Sequence, residues 1–186
     1  MNRMCIATLA GALALMGCGK KETLEASETG AGTQVSEIGT GRVEKIIRRS
    51  LKKPTGKLTK SELDQVTSFS GGGWILKDLS SLAELTNLEN LNLRLCELTD
   101  KQLKVLPKLT QLTELNLYEN QLTDARLLAD LVNLKKLDLT GNELTDVSAL
   151  ASLTQLERLG LEENHLTDVK GLEKLTQLTE LKLRYN

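Results

Sequence analysis

From about residue 66 onward, leucine recurs in blocks of the form LxxLxLxxN. Four of these align directly: LTQLTELNLYENQLTD, LVNLKKLDLTGNELTD, LTQLERLGLEENHLTD and LTQLTELKLRYN. Their asparagines, Asn120, Asn142, Asn164 and Asn186, stand 22 residues apart, so one small structural unit is being repeated. An earlier unit, residues 88–111, carries LENLNLRLCELTD, with Cys96 in the asparagine place and two extra residues before its end. Further back, Val66, Phe69, Gly71, Trp74, Leu76 and Asp78 fall on the same frame as a degenerate first coil, with Gly71-Gly72-Gly73 inside its strand. Within a unit, alternation such as Leu115-Asn116-Leu117 sends leucines inward and the residue between them outward on a short strand. Six such strands, stacked in parallel at ~4.8 Å, make a concave sheet ~24 Å across. The asparagines turn the chain after each strand, and their amides are suited to satisfy backbone groups left unpaired there, a task Cys96 performs only weakly. Thr99-Asp100, Thr123-Asp124, Thr145-Asp146 and Thr167-Asp168 stand where the convex half begins, so their side-chain oxygens are expected to cap its first helical turn.

The unit LxxLxLxxNxLTD with its variable second half resembles the leucine-rich repeat, and its 22-residue period is similar to that of the bacterial internalins. The resemblance covers residues 66–186, about five and a half coils. It implies an α/β solenoid with a parallel concave β-sheet, short helical or irregular convex segments and an α-helical N-terminal cap. It also implies that Cys96 replaces asparagine in a buried turn. After Asn186 there is neither a convex half nor a C-terminal cap, so the last strand is expected to fray for want of a second neighbour.

Residues 42–65 follow a different rule. Val43, Ile46, Ile47 and Leu51 have helical spacing, and Pro54-Thr55-Gly56 closes the segment. Thr59-Lys60-Ser61-Glu62 then matches a capping box, which predicts a second short helix carrying Leu63 and Val66. Such a cap covers leucines that the first coil would otherwise expose at the end of the stack. Arg42, Lys45, Arg48, Arg49, Lys52, Lys53, Lys57 and Lys60 face a single acid in the same stretch, Glu44. A solvated outer face is the plainer account of this cluster, and contact with anionic lipid is the functional alternative.

Residues 1–17 have a cationic start at Arg3, a twelve-residue apolar run from Cys5 to Met16 and no acid, as a secretory leader does. As a helix that run covers ~18 Å, short of the ~30 Å hydrocarbon core. Leu15-Met16-Gly17-Cys18 resembles the lipobox of bacterial lipoproteins, which implies acylation of Cys18 and attachment of the processed chain to a membrane of the cell envelope. Gly19 after the cysteine, by the rule for Gram-negative members of that class, implies the outer membrane. Residues 18–41 then form the lipidated cysteine and a Gly-, Ser-, Thr- and Glu-rich flexible linker that would hold the domain ~25 to 30 Å from its anchor.

Composition narrows the function. Of 186 residues 41 are leucine and 2% are aromatic, so leucine builds the core almost alone. The net charge is −1, or −2 once a leader containing Arg3 is removed, and with so few aromatics to stack bases no nucleic-acid partner is expected. One histidine and three scattered cysteines point away from a zinc site or a disulfide framework. The column Asp78, Asp100, Asp124, Asp146 and Asp168 places one carboxylate per coil at a capping position, whereas calcium needs six to eight oxygens converging on one point. His165 has no nucleophile placed beside it by the frame, and Gly71-Gly72-Gly73 opens no helix as a phosphate loop would. Neither a catalytic residue, a metal nor a cofactor is expected.

What remains is the concave face. Its outward residues are Asn90, Asn92, Arg94 and Leu95; Glu114, Asn116, Tyr118 and Glu119; Lys136, Asp138 and Thr140; Arg158, Glu162 and Glu163; and Glu180, Lys182, Arg184 and Tyr185. Glu114 with Lys136 and Arg158 with Glu180 are expected to pair across strands, which by itself accounts for much of the charge. The sharper reading is a non-enzymatic, monomeric binding protein with a protein ligand at this face. Its contacts would centre on Arg94, Leu95 and Tyr118, with Lys136, Arg158, Arg184 and Tyr185 as further candidates. The alternatives are a structural envelope protein without a specific partner and, less favoured, an enzyme.

Overall fold

A computed structural model describes residues 41–186. The leader, Cys18 and nearly all of the linker lie outside the described residues. Helix α1 spans Arg42–Ser50 and buries Val43 and Ile47, with Ile46 and Leu51 packed more loosely against the same core. Glu44 and Arg48, one turn apart, pair at 2.7 Å, and Arg48 also donates to the Gly56 carbonyl at 2.8 Å, tying the following loop to the helix. Helix α2, Lys60–Leu63, begins with the capping box: Thr59 Oγ1 accepts from the Glu62 amide, and Glu62 accepts from the Thr59 amide at 2.8 Å. The helix ends earlier than the sequence predicts. Val66 is buried, but in the turn beyond α2, where it begins the first coil.

Six three-residue strands follow: β1 Ser68–Ser70, β2 Asn90–Asn92, β3 Glu114–Asn116, β4 Lys136–Asp138, β5 Arg158–Gly160 and β6 Glu180–Lys182. They form one parallel sheet in sequence order. The register places Phe69, Leu91, Leu115, Leu137, Leu159 and Leu181 in one inward row. Each coil returns through a short 3-10 segment on the opposite side: Ser80–Glu84, Gln102–Lys108, Arg126–Leu128, Ser148–Ser152 and Leu172–Lys174. The second of these is the longest and absorbs the two extra residues of its coil, so β2 and β3 stay in register although Asn90 faces Glu114. Between sheet and convex segments lies a core that is almost wholly leucine, and most of those leucines are inaccessible to solvent. Complete burial of each stabilises the stack by about 1.5–3 kcal/mol relative to exposure.

The first coil departs from its expected form. Its strand ends at Ser70, so Gly71-Gly72-Gly73 lie in the turn after it. A Cβ on Gly71 would come within 2.6 Å of Leu76 and 3.0 Å of Phe69, because these two side chains fill the space that a leucine occupies in later coils. Trp74 stands at the asparagine position, yet it is 51% exposed. An indole does not fit a slot sized for asparagine or cysteine, and it lies outside with the Arg42 guanidinium 5.2 Å from its centroid.

Candidate binding face

The outward residues of the sheet stand in columns fixed by the register. The first is Ser68, Asn90, Glu114, Lys136, Arg158 and Glu180, and the second is Ser70, Asn92, Asn116, Asp138, Gly160 and Lys182. Charges in the first column neutralise one another. Lys136 meets Glu114 at 2.6 Å and Arg158 approaches Glu180 at 3.6 Å, both well exposed, each worth at most about 1 kcal/mol. Lys182 also reaches Glu180, at 3.2 Å. In the second column, Asn92, Asn116 and Asp138 each accept from the amide two residues on, at 3.2, 3.0 and 3.1 Å. These bonds end the strands and set the direction in which Arg94, Tyr118 and Thr140 leave them.

Those next residues divide. Arg94 is exposed, Tyr118 is half-buried, and Thr140, expected to point outward, is buried at 9%. Thr140 lies against the space above Gly160, where a Cβ would meet its Oγ1 at 2.9 Å and Asp138 Oδ1 at 2.7 Å. Tyr118 donates its hydroxyl hydrogen to Glu119. That bond, followed by partial burial and the charges of Glu119, Glu163 and Asp138, pushes the phenol above its ordinary pKa. Among the described residues no base pairs with Glu119, Asp138, Glu162 or Glu163, so the middle of the face around Tyr118 is negative.

A shallow groove of about 660 Å³ runs along the face, and its lining includes Tyr118, Lys136 and Arg158. Arg94, Leu95, Arg184 and Tyr185 do not line it; they are exposed beyond its edge. The seven candidate residues are thus split between a central groove and a rim.

Sequence reasoning missed the conformation of that rim. Gly73, Leu95, Glu119, Gly141, Glu163 and Tyr185, one per coil, all have φ between 47° and 77°. The left-handed turn before each asparagine position exposes these side chains in a row. Glycines at 73 and 141 were the only signal, because the other four positions hold residues that rarely adopt this conformation.

Behind the rim stand the turn residues. Asn120 accepts from the amides of Cys96 and Leu98 and donates to the carbonyls of Leu93 and Leu117, all at 2.9–3.2 Å. Asn142 and Asn164 repeat this arrangement with fewer acceptor contacts, and each of these bonds connects neighbouring coils or closes its own turn. Cys96 donates its thiol hydrogen to the carbonyls of Gly71 and Arg94, at 3.1 and 3.3 Å. Burial pushes that thiol above its ordinary pKa, which leaves it a poor nucleophile at neutral pH.

The Thr-Asp pairs are less uniform than expected. Asp78, Asp124, Asp146 and Asp168 each accept from the amide two residues on, at the start of a convex turn. Asp100 instead accepts from Thr123 and Asp124 in the next coil, and Thr99 pairs with Gln102. The threonine oxygens therefore do not form the caps. Among the described residues no group of three His, Cys, Asp or Glu side chains is placed to hold a metal.

Comparison with known proteins agrees with this architecture. The family pattern described as Leucine Rich repeats (2 copies) matches residues 110–152. No curated protein matches the chain. A crystal structure of an internalin, InlF, from Listeria monocytogenes is 32% identical, with a TM-score of 0.72 over 78% of this chain and 43% of that one. A leucine-rich-repeat protein of Leptospira interrogans is 32% identical, with a TM-score of 0.52 over 56% of this chain and 27% of that one. The chain thus spans less than half the length of the internalin it matches. Its parallel sheet, 3-10 returns and N-terminal helix make it a leucine-rich-repeat solenoid with an internalin-like fold.

Proposed function

We propose that this chain is a non-enzymatic binding protein of the bacterial cell envelope, tethered by a lipid on Cys18, that takes a protein segment along its concave face. The observation that carries the reading is the groove of about 660 Å³ with half-buried Tyr118 against it. Tyrosine offers a rigid apolar face and a polar tip at small entropic cost, and arginine and tyrosine are favoured anchors at protein interfaces. Glu119, Asp138, Glu162 and Glu163 favour a partner that presents lysine or arginine to that ring. The envelope assignment is supported by the likeness of residues 15–18 to a lipobox.

The test of the face pairs two variants. Arg94→Ala with Tyr118→Ala should lose a partner that wild type captures by cross-linking in native envelopes, with an unchanged thermal melt. Leu117→Asp should unfold the stack, since Leu117 is wholly buried and the new charge would have no partner. If the outward pair melts the protein as severely as Leu117→Asp, or captures the same partner as wild type, the face is misassigned. The tether is tested separately by Cys18→Ser, which should remove fatty-acid label and release the chain from membranes; retention with label would refute it.

A further inference from the structure

We propose that the N-terminal corner of the solenoid docks on an anionic phospholipid surface, through Trp74, Ile75 and Leu95 beside the basic stripe Arg42, Lys45 and Arg49. Trp74 and Ile75 are each 51% exposed and Leu95 44%. They gather at one corner: the Gly73 amide bonds the Arg94 carbonyl at 2.8 Å, which sets Leu95 opposite Gly73, the residue before Trp74, on the adjacent coil. Arg42 lies over the indole and joins that patch to helix α1. At 100° per residue, Arg42, Lys45 and Arg49 share the exposed face of α1, turned away from buried Val43 and Ile47.

Arg48, Lys53 and Lys60 are neutralised by Glu44, Glu62 and Asp64, whereas among the described residues Arg42, Lys45, Arg49, Lys52 and Lys57 meet no acid, and the first three of these share one face of α1. The acid sharing Ile75's frame position in the next coil is Glu97, a single charge against three. A tryptophan flanked by bases suits the interface between headgroups and acyl chains, where the ring is half immersed and the cations meet phosphate. A lipid on Cys18 would bring the domain within reach of a membrane, and α1 is the first described element after that tether. The biological setting therefore rests on the envelope reading above, but the test does not.

Trp74 is the only tryptophan in the chain, so its emission reports this patch alone. The 186-residue protein is mixed with vesicles of phosphatidylcholine, or of phosphatidylcholine with about 30% phosphatidylglycerol, each containing brominated lipid as a contact quencher. Emission should shift to the blue and be quenched on the anionic vesicles alone, and high salt should reverse both effects. Arg42→Gln with Lys45→Gln and Arg49→Gln should weaken the docking step roughly a hundredfold, at about fivefold per base, without altering the circular dichroism spectrum. Attachment through the leader or an acyl chain would be common to wild type and variant and gives no Trp74 quenching of its own. Equal quenching of both proteins, equal quenching on neutral vesicles, or none on anionic ones would overturn the proposal, and the last result would leave the patch to a protein partner. None of these outcomes bears on Tyr118 and the concave groove.

Discussion

The side-chain amide of Asn142 lies 3.1 Å from the carbonyl of Leu117, one coil earlier, and 2.9 Å from that of Leu139 in its own coil. Its oxygen meanwhile accepts from the Leu122 amide at 3.1 Å. One buried side chain thus satisfies the Leu122 amide and shares the Leu117 and Leu139 carbonyls with Asn120 and Asn164, all groups that turn away from the sheet and have no ladder partner. Leucine burial makes the coils cohere, and this amide fixes how they are spaced.

Asn142→Ala should therefore destabilise the chain by about 1–3 kcal/mol, as the buried Leu122 amide loses its partner while the Leu117 and Leu139 carbonyls each keep one. Urea denaturation followed by circular dichroism measures this. A loss below about 1 kcal/mol would mean that water replaces the amide and that the ladder is incidental to stability.

Cys96 offers the converse case, since its thiol donates to two carbonyls but accepts from the Trp74 and Gly73 amides more weakly than an amide oxygen would. Cys96→Asn should raise stability by about 1 kcal/mol by replacing a weak sulfur acceptor with an amide oxygen. In the folded wild type, alkylation at neutral pH read by peptide mass spectrometry should leave Cys96 unmodified, and modification should appear only with unfolding. Rapid labelling in the native state would show that the turn opens.

The cap carries its own pH dependence. The Glu62 carboxyl is held at about 2, below its ordinary 4.5, first by the Lys53 ammonium and then by the Thr59 amide and hydroxyl. A carboxyl whose folded pKa is depressed stabilises the fold above its unfolded pKa and ceases to do so as pH falls through the folded one. The amide protection of α2 should decline from pH 4.5 toward 2, and Glu62→Gln should abolish that dependence. An NMR titration of Glu62 with a midpoint near 4.5 would refute it.

Strand β6 pairs with β5 alone, all three of its residues are exposed, and Leu181 in the inward row is 42% accessible. Repeat stability depends on neighbours, so hydrogen exchange in the monomeric 186-residue chain should be fast from residue 178 onward and slow between residues 115 and 139. Equal protection in a monomer would contradict this, and protection appearing only in a dimer would show strand pairing at that edge.

What the sequence by itself determined is what recurs. The 22-residue spacing, the inward leucines of β2 to β6 and the asparagine turns were legible because each position meets the same surroundings in coil after coil, and one mismatch does not hide the frame. The capping box at Thr59 and Glu62 was legible for a different reason: its hydrogen bonds join residues three apart. Tertiary structure alone decided the departures from that frame. Trp74 shares a position with Asn120 but not its slot, because the volume available there is set by neighbouring coils and not by the repeat. Thr140 is buried while Arg94 and Tyr118 are not, because Gly160 on the next strand leaves room over which Thr140 packs. Asp100 reaches Thr123 where its counterparts serve their own turns, in the one coil lengthened by two residues. The Arg42–Trp74 contact joins a cap helix to the end of a strand turn 32 residues later. Periodicity predicts only what each coil shares with the next; a contact made once, at an end or across an irregular coil, depends on the shape that folding brings together.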